Sequence, residues 1–273
     1  MIHSLKYGLS VVYRKPLLVI LVFLYEMFWG FLLYRYIRSV IAPLLYRYPG
    51  AEVPSWSSLF WIEGEFRLLK TDLAYSTTLT LLAILVARML FTPLLNAGIY
   101  YAIHHISSEQ WKTFWSGIRM RWGRFLILYL LQMAITLLPL YWLVPPVIRS
   151  FQEGTLHVVH LTEGILVIAA YLLYLSLVRL CFMYLQFAAA CGERWSAALA
   201  IWSKKLLPLI GLSASILLIS LILQAILASA SMFWAGLAAL IIYQATPLLR
   251  VSFQMWEIAS QHDLWLRSRN SPS

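Results

Sequence analysis

Apolar residues dominate the chain in long runs, and short polar clusters separate them. Six runs are long enough for a helix to cross a hydrocarbon core, which takes about 20 residues. They fall at roughly 16–36, 76–102, 124–147, 160–190, 206–228 and 231–253. Runs of this length predict helices rather than the short alternating strands of a membrane barrel. A small-residue turn near Ser229-Ala230-Ser231 is expected between the fifth and sixth. Glu153 and a His-containing loop follow Arg149 between the third and fourth. The segment 38–74 is predicted as the one sizeable loop outside the membrane. Its stretch from Trp56 to Lys70 has apolar positions at near-helical spacing, suited to an amphipathic helix on the membrane surface or a lid over the protein's own helices.

Composition agrees with this reading. Hydrophobic residues make up 62% of the 273 and charged ones only 12%, too few charges to coat a soluble domain of that size. The fold class expected is all-α integral membrane, with 1–273 forming a single polytopic domain. The basic start Met1 to Lys15 is followed by an apolar run too long and aromatic for a cleaved signal, so the first span is expected to stay as an anchor.

Charge sets the expected orientation. The N-terminal segment, the segments after the second and fourth spans, and the C-terminal tail hold thirteen Lys and Arg, against six in the intervening loops. By the positive-inside rule both termini are cytoplasmic. The formal net charge of +10 then reflects topology and attraction to anionic lipid headgroups. With no soluble basic domain, nucleic acid is not an expected partner. The expected partners are membrane lipids and another membrane protein.

Two patterns recur. Short segments rich in aromatic or apolar residues precede the odd-numbered spans and end in basic clusters. They run from Leu5 to Arg14-Lys15, from Trp111 to Arg124, and from Arg194 to Lys204-Lys205. Such residues suit the headgroup level. The even-numbered spans carry Arg88-x-x-Phe91, Arg179-x-x-Phe182 and Arg250-x-x-Phe253. Together these predict three repeat units, about 1–104, 105–191 and 192–273. Each unit is an interfacial amphipathic helix followed by a helical hairpin, and all three have the same orientation.

These features resemble a group of bacterial six-span proteins. The group comprises the membrane domain fused to some glycerophosphodiester phosphodiesterases, with its stand-alone relatives. The resemblance rests on Pro93-Leu94-Leu95-Asn96-Ala97-Gly98, on Phe114-Trp115-Ser116-Gly117 leading to Trp122-Gly123-Arg124, and on Trp195-Ser196-Ala197-Ala198 leading to Lys204-Lys205. It implies a membrane scaffold in a bacterial cytoplasmic membrane. It carries no catalytic residue, because the phosphodiester chemistry of the fused members belongs to a separate soluble domain.

Ionisable groups within the apolar runs are costly to bury and are the first candidates for function. They are Glu26, Arg88, Arg179 and Arg250. The arginines could form an inner-leaflet site for a lipid phosphate or an anionic substrate, since the planar guanidinium suits such groups. The simpler reading is snorkelling to the headgroups, with Glu26 paired to Arg88 or Arg179. His157, His160 and Glu163 stand at i, i+3 and i+6 and could share a helix face as metal ligands. The simpler reading there is a solvated helix start. His104-His105 reads as the end of an interfacial helix. The glutamines Gln132, Gln186, Gln224 and Gln244 read as hydrogen-bond partners between helices.

No His-Glu-x-x-His, Walker loop or Cys-x-x-Cys occurs. No catalytic constellation and no cofactor are therefore expected. The function expected is a non-enzymatic scaffold or accessory protein, with a small-solute or lipid transporter as the alternative.

Overall fold

The computed structural model describes residues 2–47, 72–105, 109–145, 158–233 and 237–270. All its long elements are helices: α1 (Ile2–Arg14), α2 (Pro16–Arg47), α3 (Asp72–His104), α4 (Gln110–Leu137), α5 (Val158–Cys191), α6 (Trp195–Lys204), α7 (Leu206–Phe233) and α8 (Leu237–Asn270). Among the described residues, five segments are long and apolar enough to cross a membrane. They are Pro16–Ala42, Tyr75–His104, Gln110–Pro145, Ile165–Cys191 and Leu206–Ala230. Their outer faces leave large apolar side chains uncovered, such as Leu82 and Leu85 on α3 and Leu217, Leu218 and Leu221 on α7. In water, apolar faces of that extent would drive association. In lipid they are the natural surface. Hydroxyl groups on these helices donate back to their own backbone, as Ser176 Oγ does to the Leu172 carbonyl at 2.9 Å and Ser215 Oγ to the Gly211 carbonyl at 2.7 Å. Where no water is at hand, that is how a lone hydroxyl is satisfied.

Helix boundaries follow local chemistry. Pro16 separates α1 from α2, because a proline disfavours the helical conformation of the residue before it, here Lys15. No proline stands at Trp122-Gly123-Arg124, and there the expected break does not occur. The second interfacial segment and the third span form one helix from Gln110. The expected turn at Ser229-Ala230-Ser231 is also absent, since α7 runs on to Phe233. Helix α5 ends at Gly192, whose φ of +80° is the left-handed conformation that glycine adopts without a Cβ clash. The Glu193 amide then donates to the Ala188 carbonyl at 2.9 Å, the six-to-one bond of a Schellman C-cap. Most of the loop 38–74 lies outside the described residues. Its start belongs to α2 and its last residues to α3.

The chain divides into two compact units, one of Met1–Ile20 with Pro93–Ser273, the other of Leu21–Thr92. In the smaller unit, Tyr25 and Trp29 of α2 meet α3. The Tyr25 hydroxyl lies 2.8 Å from Thr92 Oγ1, and the Trp29 and Phe91 rings are 6.3 Å apart.

The larger unit has its core at one end, where the short basic segments cross the ends of the long helices. Helix α1 lies on α8, with Gly8 against Ser260. The start of α4 lies on the end of α3, with Phe114 against Gly98 and Gly117 against Ala97 and Tyr101. Helix α6 lies on α5. Lys15 reaches the end of α3, where its Nζ donates to the Ala102 and His105 carbonyls. Burial there holds its pKa below the usual lysine value. An aromatic cluster of Tyr100, Phe125, Phe187 and Trp265 joins α3, α4, α5 and α8.

The sequence alone places residues after 253 in a polar tail. Instead α8 continues unbroken to Asn270. Its residues Ser260, Gln261, His262 and Asp263 are all buried. Gln261 donates to the Leu209 carbonyl at 3.0 Å and to Ser213 Oγ at 2.9 Å, and accepts from the Tyr184 hydroxyl at 3.1 Å. Asp263 pairs with Arg267 at 2.9 Å, and Trp256 Nε1 donates to the Leu5 carbonyl at 2.8 Å. Gln261 and Asp263 are buried with partners, whereas Ser260 Oγ and His262 Nδ1 have none among the described residues.

Candidate functional site

Two cavities adjoin in the larger unit. The bigger, about 620 Å³, lies among α5, α7 and α8. Arg179, Arg250, Glu257 and Gln254 supply its polar wall, with Ser213, Ser220 and Gln224 of α7 across from them. Leucines and isoleucines of α5 and α7 line the rest. The smaller cavity, about 190 Å³, is bounded by Asn96, Tyr100, Gln132, Gln186, Gln254 and again Arg179. Arg179 thus stands between the two.

Arg179 Nη2 donates to Glu257 Oε2 at 2.7 Å. The carboxylate side chain is 16% exposed and the guanidinium 53%. This ion pair joins α5 to α8. The sequence pairs Glu26 with Arg88 or Arg179 and leaves Glu257 beyond the last apolar run. The extra length of α8 brings Glu257 to Arg179 instead. Arg250 has no ion-pair partner among the described residues, although it lines the same cavity. Two guanidinium groups and one carboxylate leave that wall with an excess positive charge.

The smaller unit holds Glu26, half-buried, and Arg88, exposed. No ion pair joins these two among the described residues. Neither lines that unit's apolar groove of about 730 Å³, which Tyr25, Phe28, Trp29 and Phe91 help to form. His157 lies outside the described residues, as do the side chains of His160 and Glu163 and that of Gln244. Of the remaining glutamines, Gln224 bonds within its own helix, to Ser220 Oγ at 2.8 Å. Gln132 and Gln186 face the smaller cavity.

A second cluster has no local spacing signal in the sequence. His104 ends α3, Cys191 ends α5, and His262 is the buried histidine of α8. One donor atom from each lies within 4.8 Å of the other two. His262 has its pKa pushed down to about 3 by burial, with His104 and Lys15 adding to the effect. It is therefore a neutral imidazole at physiological pH.

The Arg179–Glu257 pair gives a direct test of the wall's electrostatics. Glu257→Gln should lower thermal stability in detergent by about 1–2 kcal/mol. That lies between the values for exposed and fully buried pairs, because Arg179 is half-open to the cavity. Adding Arg179→Gln should recover part of the loss. Strictly additive losses in the double-mutant cycle would mean that the pair contributes nothing.

No protein-family model matches the chain, and no curated protein or solved structure matches it.

Proposed function

We propose that this protein is a non-catalytic scaffold or accessory protein of a bacterial cytoplasmic membrane, and that it holds an anionic lipid headgroup in the cavity beside Arg250. The observation that carries this reading is Arg250, without an ion-pair partner among the described residues, on a wall where Arg179 is already neutralised by Glu257. Arg250 is exposed, and a guanidinium at a membrane surface favours a phosphate or carboxylate partner. The apolar part of the lining suits an acyl chain, so the cavity matches an amphiphile with one acidic head.

The chain is read here as six spans with both termini cytoplasmic, α8 supplying the sixth. The threefold repeat is supported by the order of packing. The first basic segment lies on α8, the second on α3 and the third on α5. The first two cross at a small residue, Gly8 or Gly117, and the third buries Ala198 fully. That order is cyclic, as three repeats of the same orientation require. The resemblance to the six-span membrane domain of glycerophosphodiester phosphodiesterases points the same way, toward a scaffold without chemistry of its own.

Native mass spectrometry of the detergent-purified protein, with phosphatidylglycerol or phosphatidylcholine added, tests the lipid assignment. The wild type should retain phosphatidylglycerol preferentially, and Arg250→Gln should lose that preference. Equal retention of both lipids by the wild type, or an unchanged preference in the variant, would overturn it. Transport of a small anionic solute is the second reading, favoured by the polar cavity adjoining on the other side of Arg179. Uptake into proteoliposomes that Arg250→Gln abolishes would select it.

A further inference from the structure

We propose that His104, Cys191 and His262 form a three-ligand site for a soft or borderline closed-shell cation, Zn²⁺ or Cu⁺. The three side chains come from three different helices, and their donor atoms lie within 4.8 Å of one another. His104 Nδ1 and His262 Nε2 are 3.3 Å apart. Two imidazole nitrogens bound to one tetrahedral zinc at about 2.0–2.1 Å are separated by about 3.3–3.4 Å. The imidazoles are therefore already spaced as two corners of such a site. Cys191 has only to bring its sulfur to the third, a movement within reach of a side-chain rotation.

The ligand types choose the metal class. Two imidazoles and one thiolate suit zinc and copper, whereas magnesium and calcium need oxygen donors. The cluster offers no oxygen ligand. Cys191 must lose its proton on binding, and that proton goes to solvent. Arg121 lies against the backbone of Gly192, and Arg269 is paired with Glu193 at 2.6 Å. With Lys15 also near, the low net charge of a thiolate-bound cation is better tolerated than a bare divalent ion would be.

The frame around the ligands is fixed before any ion arrives. Gly192 and its C-cap bond set the end of α5. Phe187 and Trp265 pack about the His262 ring, at 5.3 and 5.9 Å between centroids. His262 is 1% exposed, yet its Nδ1 has no hydrogen-bond partner. The ion would take Nε2, the nitrogen that faces His104, and Nδ1 is unchanged by its binding. His104 and Cys191 are only partly buried, which leaves an approach for the ion.

The competing reading is a plain N–H···N bond between the two histidines, with the cysteine a bystander. Metal-free protein, prepared with a chelator and kept in detergent, separates the two. Zinc chloride should bind at one equivalent. Cobalt(II) chloride in its place should give a thiolate-to-cobalt charge-transfer band. Cys191→Ala should weaken zinc binding by at least about 100-fold, beyond the loss usual for a group behind the ligands, and should remove the band. His104→Ala should weaken binding similarly. Cys181→Ala, which alters the other free cysteine of α5, should change neither. Competition against a copper(I)-specific chelator shows which ion is held more tightly. Thermal unfolding of each metal-free variant shows that it remains folded. Zinc binding unaltered by Cys191→Ala, or folded wild type that takes up none of the three ions, would overturn the site.

Discussion

Gly8→Ala is expected to lower thermal stability by about 1–3 kcal/mol, the usual cost of forcing extra volume into a packed contact. An added Cβ would lie 2.0 Å from Ser260 Oγ and 2.8 Å from the Ser260 amide nitrogen. The hydroxyl could rotate away from such a contact, but the amide cannot. Ser260 is fully buried, so even the hydroxyl has little space to move into. Helices α1 and α8 would have to separate, and the Trp256 bond to the Leu5 carbonyl would stretch with them. Alanine is otherwise the better helix former by about 1 kcal/mol, so the intrinsic effect of the change opposes the loss. Gly30 and Gly123 provide the comparison, because a Cβ at either meets nothing within 4 Å. Gly30→Ala and Gly123→Ala should be neutral or stabilising. If Gly8→Ala behaves like those two in a thermal melt, α1 does not dock on α8 as described.

Gln261→Leu should be the most damaging single change in the polar part of α8. Gln261 is fully buried and makes three side-chain bonds, to Tyr184, Leu209 and Ser213. Leucine preserves much of the bulk and removes all three. The Tyr184 hydroxyl and the Leu209 and Ser213 oxygens lose a partner in a place water does not reach. Each buried group left without one costs about 1–3 kcal/mol. Tyr184→Phe in the Gln261→Leu background removes one of the orphaned groups. The double variant should therefore be more stable than additivity predicts. Additive losses by thermal unfolding would place Tyr184 and Gln261 out of contact.

The difference between sequence and structure is physical and local. The apolar runs announce their helices because nothing else accommodates so many uncharged residues in sequence. Proline and glycine mark breaks at Lys15-Pro16 and at Gly192. The string from Glu257 to Asp263 has no apolar period, so it reads as solvated tail. Its burial depends on α1, α5 and α7, which are distant in sequence and supply the partners that make burying polar groups tolerable. The same cause moves the charge pair. Arg179 is recognisable as a cation within an apolar run, but its partner Glu257 lies on a segment that only tertiary packing brings inward. Arg250 sits in the same Arg-x-x-Phe pattern, and its lack of a partner becomes apparent only once the pair beside it is seen. His104, Cys191 and His262 lie on three different helices, and a ligand set assembled in that way leaves no spacing to read.

Sidedness is the premise on which the leaflet of the Arg250 cavity and the compartment of the histidine–cysteine cluster both depend. Single cysteines at Ser57 and Ser116, placed in turn in a Cys181→Ala, Cys191→Ala background, test it in intact cells with a membrane-impermeant thiol reagent. The distribution of Lys and Arg predicts that Ser57→Cys is labelled from outside. Ser116→Cys should be labelled only after the membrane is permeabilised. Labelling of Ser116→Cys in intact cells, with Ser57→Cys protected, would contradict the account.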